Sequence, residues 1–304
     1  MKNTLVLCLT AILFEVLSPA AILAITTEDI VSQLEQKEQS IKSIHGKFNV
    51  RAQNLMNDGN TVEIEEQYEW AKRDNIQKLI REYKSIPEKF EQKEPYKECP
   101  NCPNMIMRTA IEKEIRAFDG NVTKLFLPGS NSGRVYIGDQ QLLLGKMPAD
   151  WLLSRVKKKP LSAFLKEDCT FLKYVGDVNL EGRICHLLEF TTPKSNGKLY
   201  VTDEQGLVPV KYESNITNHK LSYNTRGEYI YCEFKHYGNI TMPTKVIVNV
   251  YRVYPDREQL AIKEVFTVEQ LEINKQIPDT EVLLQFPAGT HVHDSVTNKN
   301  YVVN

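Results

Sequence analysis

Cys99-Pro-Asn-Cys102 is the sharpest local motif in the chain. Two thiols at that spacing can close a small disulfide that pins a loop, supply half of a zinc site, or work as a redox pair. The second C-x-x-C or H-x-x-x-H that zinc wants does not follow in the sequence. The flanks, 93–98 and 103–104, read as loop rather than the strand-then-helix setting of a thioredoxin-type pair. A disulfide between Cys99 and Cys102 is the plainest of the three readings. His291-x-His293-Asp294 comes next. Residues two apart on a strand share a face, so both imidazoles could meet one ion. Yet the pair sits in the closing motif of the chain, where a polar strand end is expected. His45, His186, His219 and His236 are scattered, with no H-x-x-x-H or H-E-x-x-H among them. Gly129-Ser-Asn-Ser-Gly133 is not a nucleophile elbow, because Asn131 stands where serine is required. Carboxylates are plentiful but alternate outward along strand-like stretches. No catalytic residue, metal site or cofactor is nominated, and the chain reads as a non-enzyme.

The front of the chain places it outside the cell interior. Met1-Lys2-Asn3 is a short basic start, residues 5–17 are mostly apolar, and Ser18-Pro19-Ala20-Ala21 supplies small residues. That is the layout of a secretory signal over residues 1–24, with Glu15 arguing against a permanent span. Removing it takes one lysine and one glutamate and leaves the net charge at −1. A near-neutral chain has no basic footprint for nucleic acid. Five cysteines remain (Cys99, Cys102, Cys169, Cys185, Cys232), so at least one is unpaired or pairs outside the chain. Asn121, Asn215 and Asn239 open glycosylation-type sequons, which matter only on a eukaryotic secretory route.

The elements that would position any site are mainly strands. Thr26 or Thr27 can cap a helix with Glu28 and Asp29 in its first turn; Ile30, Leu34, Ile41 and Ile44 recur at helical spacing, and Gly46 is expected to stop it. Strands are expected over 46–52, 61–70 and 75–83. Residues 84–106, rich in Lys, Glu and Pro, read as a surface insertion carrying the cysteine pair. Strands over 114–118 and 123–127 flank an Asp119-Gly-Asn121 turn, and 128–133 reads as a loop. Residues 148–167 break the pattern with two short helices. Strands over 171–178, 183–191, 198–202, 207–213, 229–237, 244–254, 262–273 and 282–286 follow, with a polar loop at 214–226. Strand follows strand through short turns, so neighbours should pair antiparallel. The absence of strand–helix–strand alternation excludes a doubly wound nucleotide-binding fold.

At this point the chain resembles the LolA/LolB-like lipoprotein carrier superfamily. The likeness lies in an ordered set of local patterns: Ile41-Lys-Ser-Ile44-His-Gly46-Lys-Phe48, Trp70-Ala-Lys72-Arg73, Asp119-Gly-Asn121 before Leu125-Phe-Leu-Pro128, Val201-Thr-Asp203-Glu-Gln-Gly206, and Phe286-Pro-Ala-Gly289-Thr-His-Val292-His-Asp294. The resemblance implies a mainly β (α+β) fold: a curved antiparallel sheet forming an open half-barrel, with an N-terminal helix and short lid helices, as a single domain over 25–304. It also implies a carrier arginine on the third strand, near Lys78 or Arg81, and a periplasmic location.

An oily wall suits such a carrier. Burying one methylene is worth about 0.8 kcal/mol, so a sixteen-carbon chain offers roughly 12 kcal/mol of gross driving force. Phe48, Val50, Val62, Ile64, Tyr68 and Trp70, with Val246, Val248 and Phe266, share the dry strand faces and form the candidate cavity wall. Trp151, Leu152, Leu161 and Phe164 are the candidate lid. The wall is expected to exceed what the helices cover. The function that follows is an exported carrier, a monomer, that binds lipid or the acyl chains of a lipoprotein and exchanges them with membrane-bound donor and acceptor proteins. The alternative is a lipid-sensing regulatory module of the envelope with the same fold.

Overall fold

The computed structural model describes residues 25–55, 61–85, 113–139, 147–156, 158–204, 206–217 and 221–304. The signal segment, the Cys99/Cys102 pair and nearly all of the expected insertion lie outside the described residues. Helix α1 (Thr27–Ser40) opens on a capping box: Thr26 Oγ1 accepts from the Asp29 amide at 3.1 Å, and the Thr26 amide donates to Asp29 Oδ2 at 3.0 Å. Ile30, Val31 and Leu34 form its buried stripe.

Fifteen strands then build one curved sheet that does not close into a barrel. Its first half is β1 (Ser43–Leu55), β2 (Thr61–Arg73), β3 (Ile76–Ser85), β4 (Lys113–Phe118), β5 (Val122–Leu127) and β6 (Ser132–Ile137). Two helices, α2 (Pro148–Leu152) and α3 (Leu161–Glu167), interrupt it. The second half is β7 (Phe171–Leu180), β8 (Arg183–Thr191), β9 (Ser195–Thr202), β10 (Val208–Ile216), β11 (Asn224–Tyr237), β12 (Ile240–Val253) and β13 (Glu258–Ile273). The chain enters at β1, works outward to β6, restarts at the far edge with β7, and returns until β13 pairs antiparallel with β1. A one-turn helix, α4 (Asp279–Val282), then leads to β14 (His291–Asp294) and β15 (Lys299–Val302).

The expected half-barrel is therefore the observed one, with local differences. Gly46 does not stop α1, which ends at Ser40; it lies inside β1. A Cβ there would stand 2.6 Å from the Gln270 carbonyl and 2.7 Å from the Phe48 ring, so glycine is required by close approach of the neighbouring strand. Ile41 and Ile44, which continue the helical spacing, belong to the helix exit and to β1. Residues 128–133 hold a single 3-10 turn followed by the start of β6.

Residues 282–286 do not form a strand of the sheet. They are part of an extended strap, 274–290, laid across the convex side of β2–β6. Ile277 and Val282 pack on Ala71, and Leu284 on Ala117 and Phe126. Arg73 Nη1 donates to the Ile277 carbonyl at 2.8 Å, Lys78 Nζ to the Thr280 carbonyl at 3.1 Å and Lys124 Nζ to the Leu284 carbonyl at 3.3 Å. Three of the strap's carbonyls are thus taken by side chains rather than by a ladder, which is why an alternating run can lie outside the sheet. It ends by placing β14 parallel to β6.

Across the second half, register separates the two faces cleanly. Ala52, Glu264, Val248, Tyr229, Tyr212, Leu199 and Leu188 follow one another across seven strands. The next row, one residue along each strand, reads Gln53, Lys263, Asn249, Glu228, Glu213, Lys198 and Glu189. One row is concave and largely apolar; the other is convex and wholly polar, as the two-residue period demands.

Candidate functional site

The concave face gathers the candidate wall and the candidate lid into one cluster. Ile44, Phe48, Val50, Tyr68, Trp70, Val246, Val248 and Phe266 are buried there, together with Trp151, Leu152, Leu161 and Phe164. Val62 and Ile64, at the outer end of β2, are only half-buried. Two runs of rings organise the contact, one under each lid helix. Under α2, Phe48 stacks on Phe266 with centroids 5.3 Å apart, and Trp151 stacks on Phe266 at 5.1 Å with its edge toward Tyr68 at 6.1 Å. Under α3, Phe164 stands edge-on to Phe190 at 5.6 Å, Phe190 stacks on Tyr212 at 5.5 Å, and Tyr212 meets Tyr229 at 5.7 Å. Offset and edge-to-face pairs of this kind add to the area they bury.

Most of the wall, all but Val62 and Ile64, is covered. Phe48, Trp70, Val246 and Phe266 are each at most 1% exposed because the lid's own side chains lie on them. Among the described residues a cleft of about 40 Å³ lies between Leu34, Lys37, Glu38 and Ile41 of α1, 152–154 and Leu161 of the lid, and Val208, Pro209, Met242 and Pro243 at the sheet end. At ~10–15 Å³ per water it would hold about three waters, far short of an acyl chain. An open wall was the expectation; the rings that two short helices lay on it, Trp151 on Phe266 and Phe164 on Phe190, are the reason most of it is covered.

The lid is fastened unevenly. α3 is tied to α1: the Ser162 amide donates to Glu38 Oε1 at 3.1 Å, its hydroxyl to Glu38 Oε2, and Lys166 pairs with Glu35 at 2.6 Å. Burial pushes the Glu38 carboxyl up, against the Ser162 hydrogen bonds that hold it down. Within the lid, Asp150 accepts from the Met147 amide at 3.0 Å and pairs with Lys158 at 2.7 Å. α2 meets the wall through Trp151 and Leu152, which are apolar contacts.

Tyr229 and Tyr231 line the wall as well, and burial pushes both phenols up, Tyr229 to about 12. Residues 190, 212, 229 and 231 were not among the expected wall. Period-two alternation in 183–191 and 207–213 carries the signal for the first two, as it does for Phe48 and Tyr68. Of the two third-strand cations, Arg81 faces inward and Lys78 lies under the strap. Arg81 joins a charged group on the concave side of β2–β4. Its guanidinium meets Glu66 at 2.5 Å and Glu114 at 3.5 Å, Arg116 meets Glu114 at 3.0 Å, and the Tyr68 hydroxyl donates to Glu66.

No family model matches the chain, and no curated protein does. Among solved structures the chain is similar to a DUF1329 family protein from Desulfovibrio piger, at 12% identity and a TM-score of 0.45, over 84% of this chain and 95% of that one. It is similar to a putative outer membrane lipoprotein-sorting protein domain from Vibrio parahaemolyticus, at 9% identity and a TM-score of 0.45, over 84% and 97%. A LolA superfamily protein from Nitrosomonas europaea matches at 14% identity and a TM-score of 0.43, over 86% and 99%.

Among the described residues no three His, Cys, Asp or Glu side chains converge as ligands. His291 and His293 are exposed on β14, and His293 Nδ1 lies 2.8 Å from Asn300 Oδ1. Burial pushes the Cys185 and Cys232 thiols up, away from thiolate chemistry.

Proposed function

We propose that the chain is an exported carrier that takes acyl chains, of a free lipid or of a lipidated protein, onto its concave wall and moves them through the envelope space. The observation that carries this reading is the stack of Trp151 on Phe266. The site an acyl chain needs is already lined with aromatic and aliphatic groups, and its present occupant is a lid side chain held there by apolar contact. Replacing that occupant by methylenes exchanges one apolar contact for another of similar worth per area. The lid can therefore yield to cargo without a large loss of burial. Phe48, Val50, Val62, Ile64, Tyr68, Trp70, Val246, Val248 and Phe266 form the wall in this reading. Trp151, Leu152, Leu161 and Phe164 form the part that gives way, and no catalytic step is involved.

The two tryptophans of the chain provide the test. In a Trp70→Phe variant lacking residues 1–24, Trp151 is the sole reporter. Adding palmitate or a lipidated peptide should shift its emission to the red as it leaves the wall, and native mass spectrometry should show the bound chain. Unchanged Trp151 emission together with no retained lipid would remove the reading. Release of the cargo to acceptor vesicles is expected of a carrier; retention of the cargo with binding of a protein partner would instead favour a sensing role.

A further inference from the structure

The cleft left between α1, the lid and the sheet end is apolar on nearly every side. Leu34, Ile41, Leu152, Leu161 and Met242 make its walls. One cation, Lys37, opens into it from the last turn of α1. No carboxylate among the described residues lies within ion-pair distance of Lys37. Its neighbour Glu38 is engaged by Ser162 at the start of α3. The ammonium is thus held at an oily surface without a direct ion pair, and burial brings its pKa down to about 8 against the opposing pull of the Glu38 charge. Two further cations on nearby elements, Lys72 of β2 and Arg155 of the lid connection, are also pushed down, first by burial and, for Lys72, by the Arg155 charge. Carboxylates oppose the shift at each of the three, Glu38 at Lys37, Asp74 at Lys72, and Asp150, Asp139 and Glu38 at Arg155, and of the three cations it is Lys37 that lines the apolar cleft.

We propose that this cleft is where cargo enters and that it recognises a single acyl chain bearing an anionic head, with Lys37 Nζ receiving the head and the Leu34, Ile41, Leu152 and Met242 side chains receiving the first methylenes. This rests on the acyl-carrier reading above and adds the class of head group to it. An anion at Lys37 would supply the direct ion pair that no described carboxylate makes there, while Glu38, which also lines the cleft, is held by Ser162.

Binding of oleate, oleoyl lysophosphatidate and oleyl alcohol should be measured at pH 7 by displacement of a fluorescent fatty acid, on the chain without residues 1–24. Oleate, the phosphate lipid, or both should bind roughly tenfold more tightly than the alcohol, the difference that one charge-assisted hydrogen bond supplies. Which anion is preferred tells a fatty acid from a phospholipid source. Lys37→Met should bind the alcohol as before and lose the preference, and Lys37→Arg should keep it. Equal binding of acid and alcohol by the unmodified chain would overturn the head site and leave the carrier standing. So would a preference that survives in Lys37→Met. Failure of all three lipids to bind would overturn both.

Discussion

The two halves of the sheet solve the same packing problem on opposite sides. In the second half, β7–β13, the apolar row is concave and lies under α1, α2 and α3, while the convex row is polar and wet. In the first half, the concave side of β2–β4 becomes charged beyond Tyr68 and Trp70, with Arg81 between Glu66 and Glu114. There the convex side carries Ala71, Ala117 and Phe126 beneath the C-terminal strap. The lesson is that the oily interior is bounded. It ends where the charges begin, so a guest that displaced the lid would be confined to the part of the groove between β2 and β8.

Truncating one residue in each half gives the largest effects. Trp151→Ala should cost about 3–5 kcal/mol in urea unfolding, and Leu284→Ala about 2–4 kcal/mol. Only Trp151→Ala should raise uptake of a fluorescent fatty acid, because only it vacates the concave wall. Equal gains from both variants would erase the distinction between the halves. A smaller effect is expected at the boundary. Arg81→Met leaves Glu66 and Glu114 facing each other with partial water access, at a cost of about 2 kcal/mol, less than for a fully buried pair. Fatty-acid affinity should stay within roughly twofold, since the charges lie beyond the wall.

The smallest effect is one of pH. Lys37 holds its proton less tightly in the folded chain, about 8 against 10.5, so between those values the unfolded chain binds more protons and stability rises with pH. Lys72, also lowered, acts in the same direction. Cys185 and Cys232, raised from 9.0, and Tyr229 and Tyr174, raised to about 12, act in the opposite direction at higher pH. Urea midpoints should climb from about pH 8 to 9 and level off or fall beyond. Lys37→Met should weaken the climb and keep the fall.

Much of the wall was legible because period two is a strong signal where one face is dry and the other wet. Phe48, Tyr68, Val246 and Phe266 could be placed on one surface before any coordinates. Trp151 and Phe164 could be named as cover, but not as rings inserted onto Phe266 and Phe190. That insertion depends on how far two short helices reach, and no local pattern encodes it. Residues 282–286 were misplaced for a related reason. An extended strap and a strand share the same alternation, and what tells them apart is whether lysine and arginine side chains or a neighbouring backbone take its carbonyls. The charged group around Arg81 was hidden because each member looks like an ordinary outward residue until three strands bring them together.

The seam between β1 and β13 joins Ile44 to Ile273, and Val50 to Phe266. A ribbon made near the start of synthesis must stay unmated on one border until nearly the whole polypeptide has emerged. Such distant closure slows folding and leaves a sticky margin in the meantime.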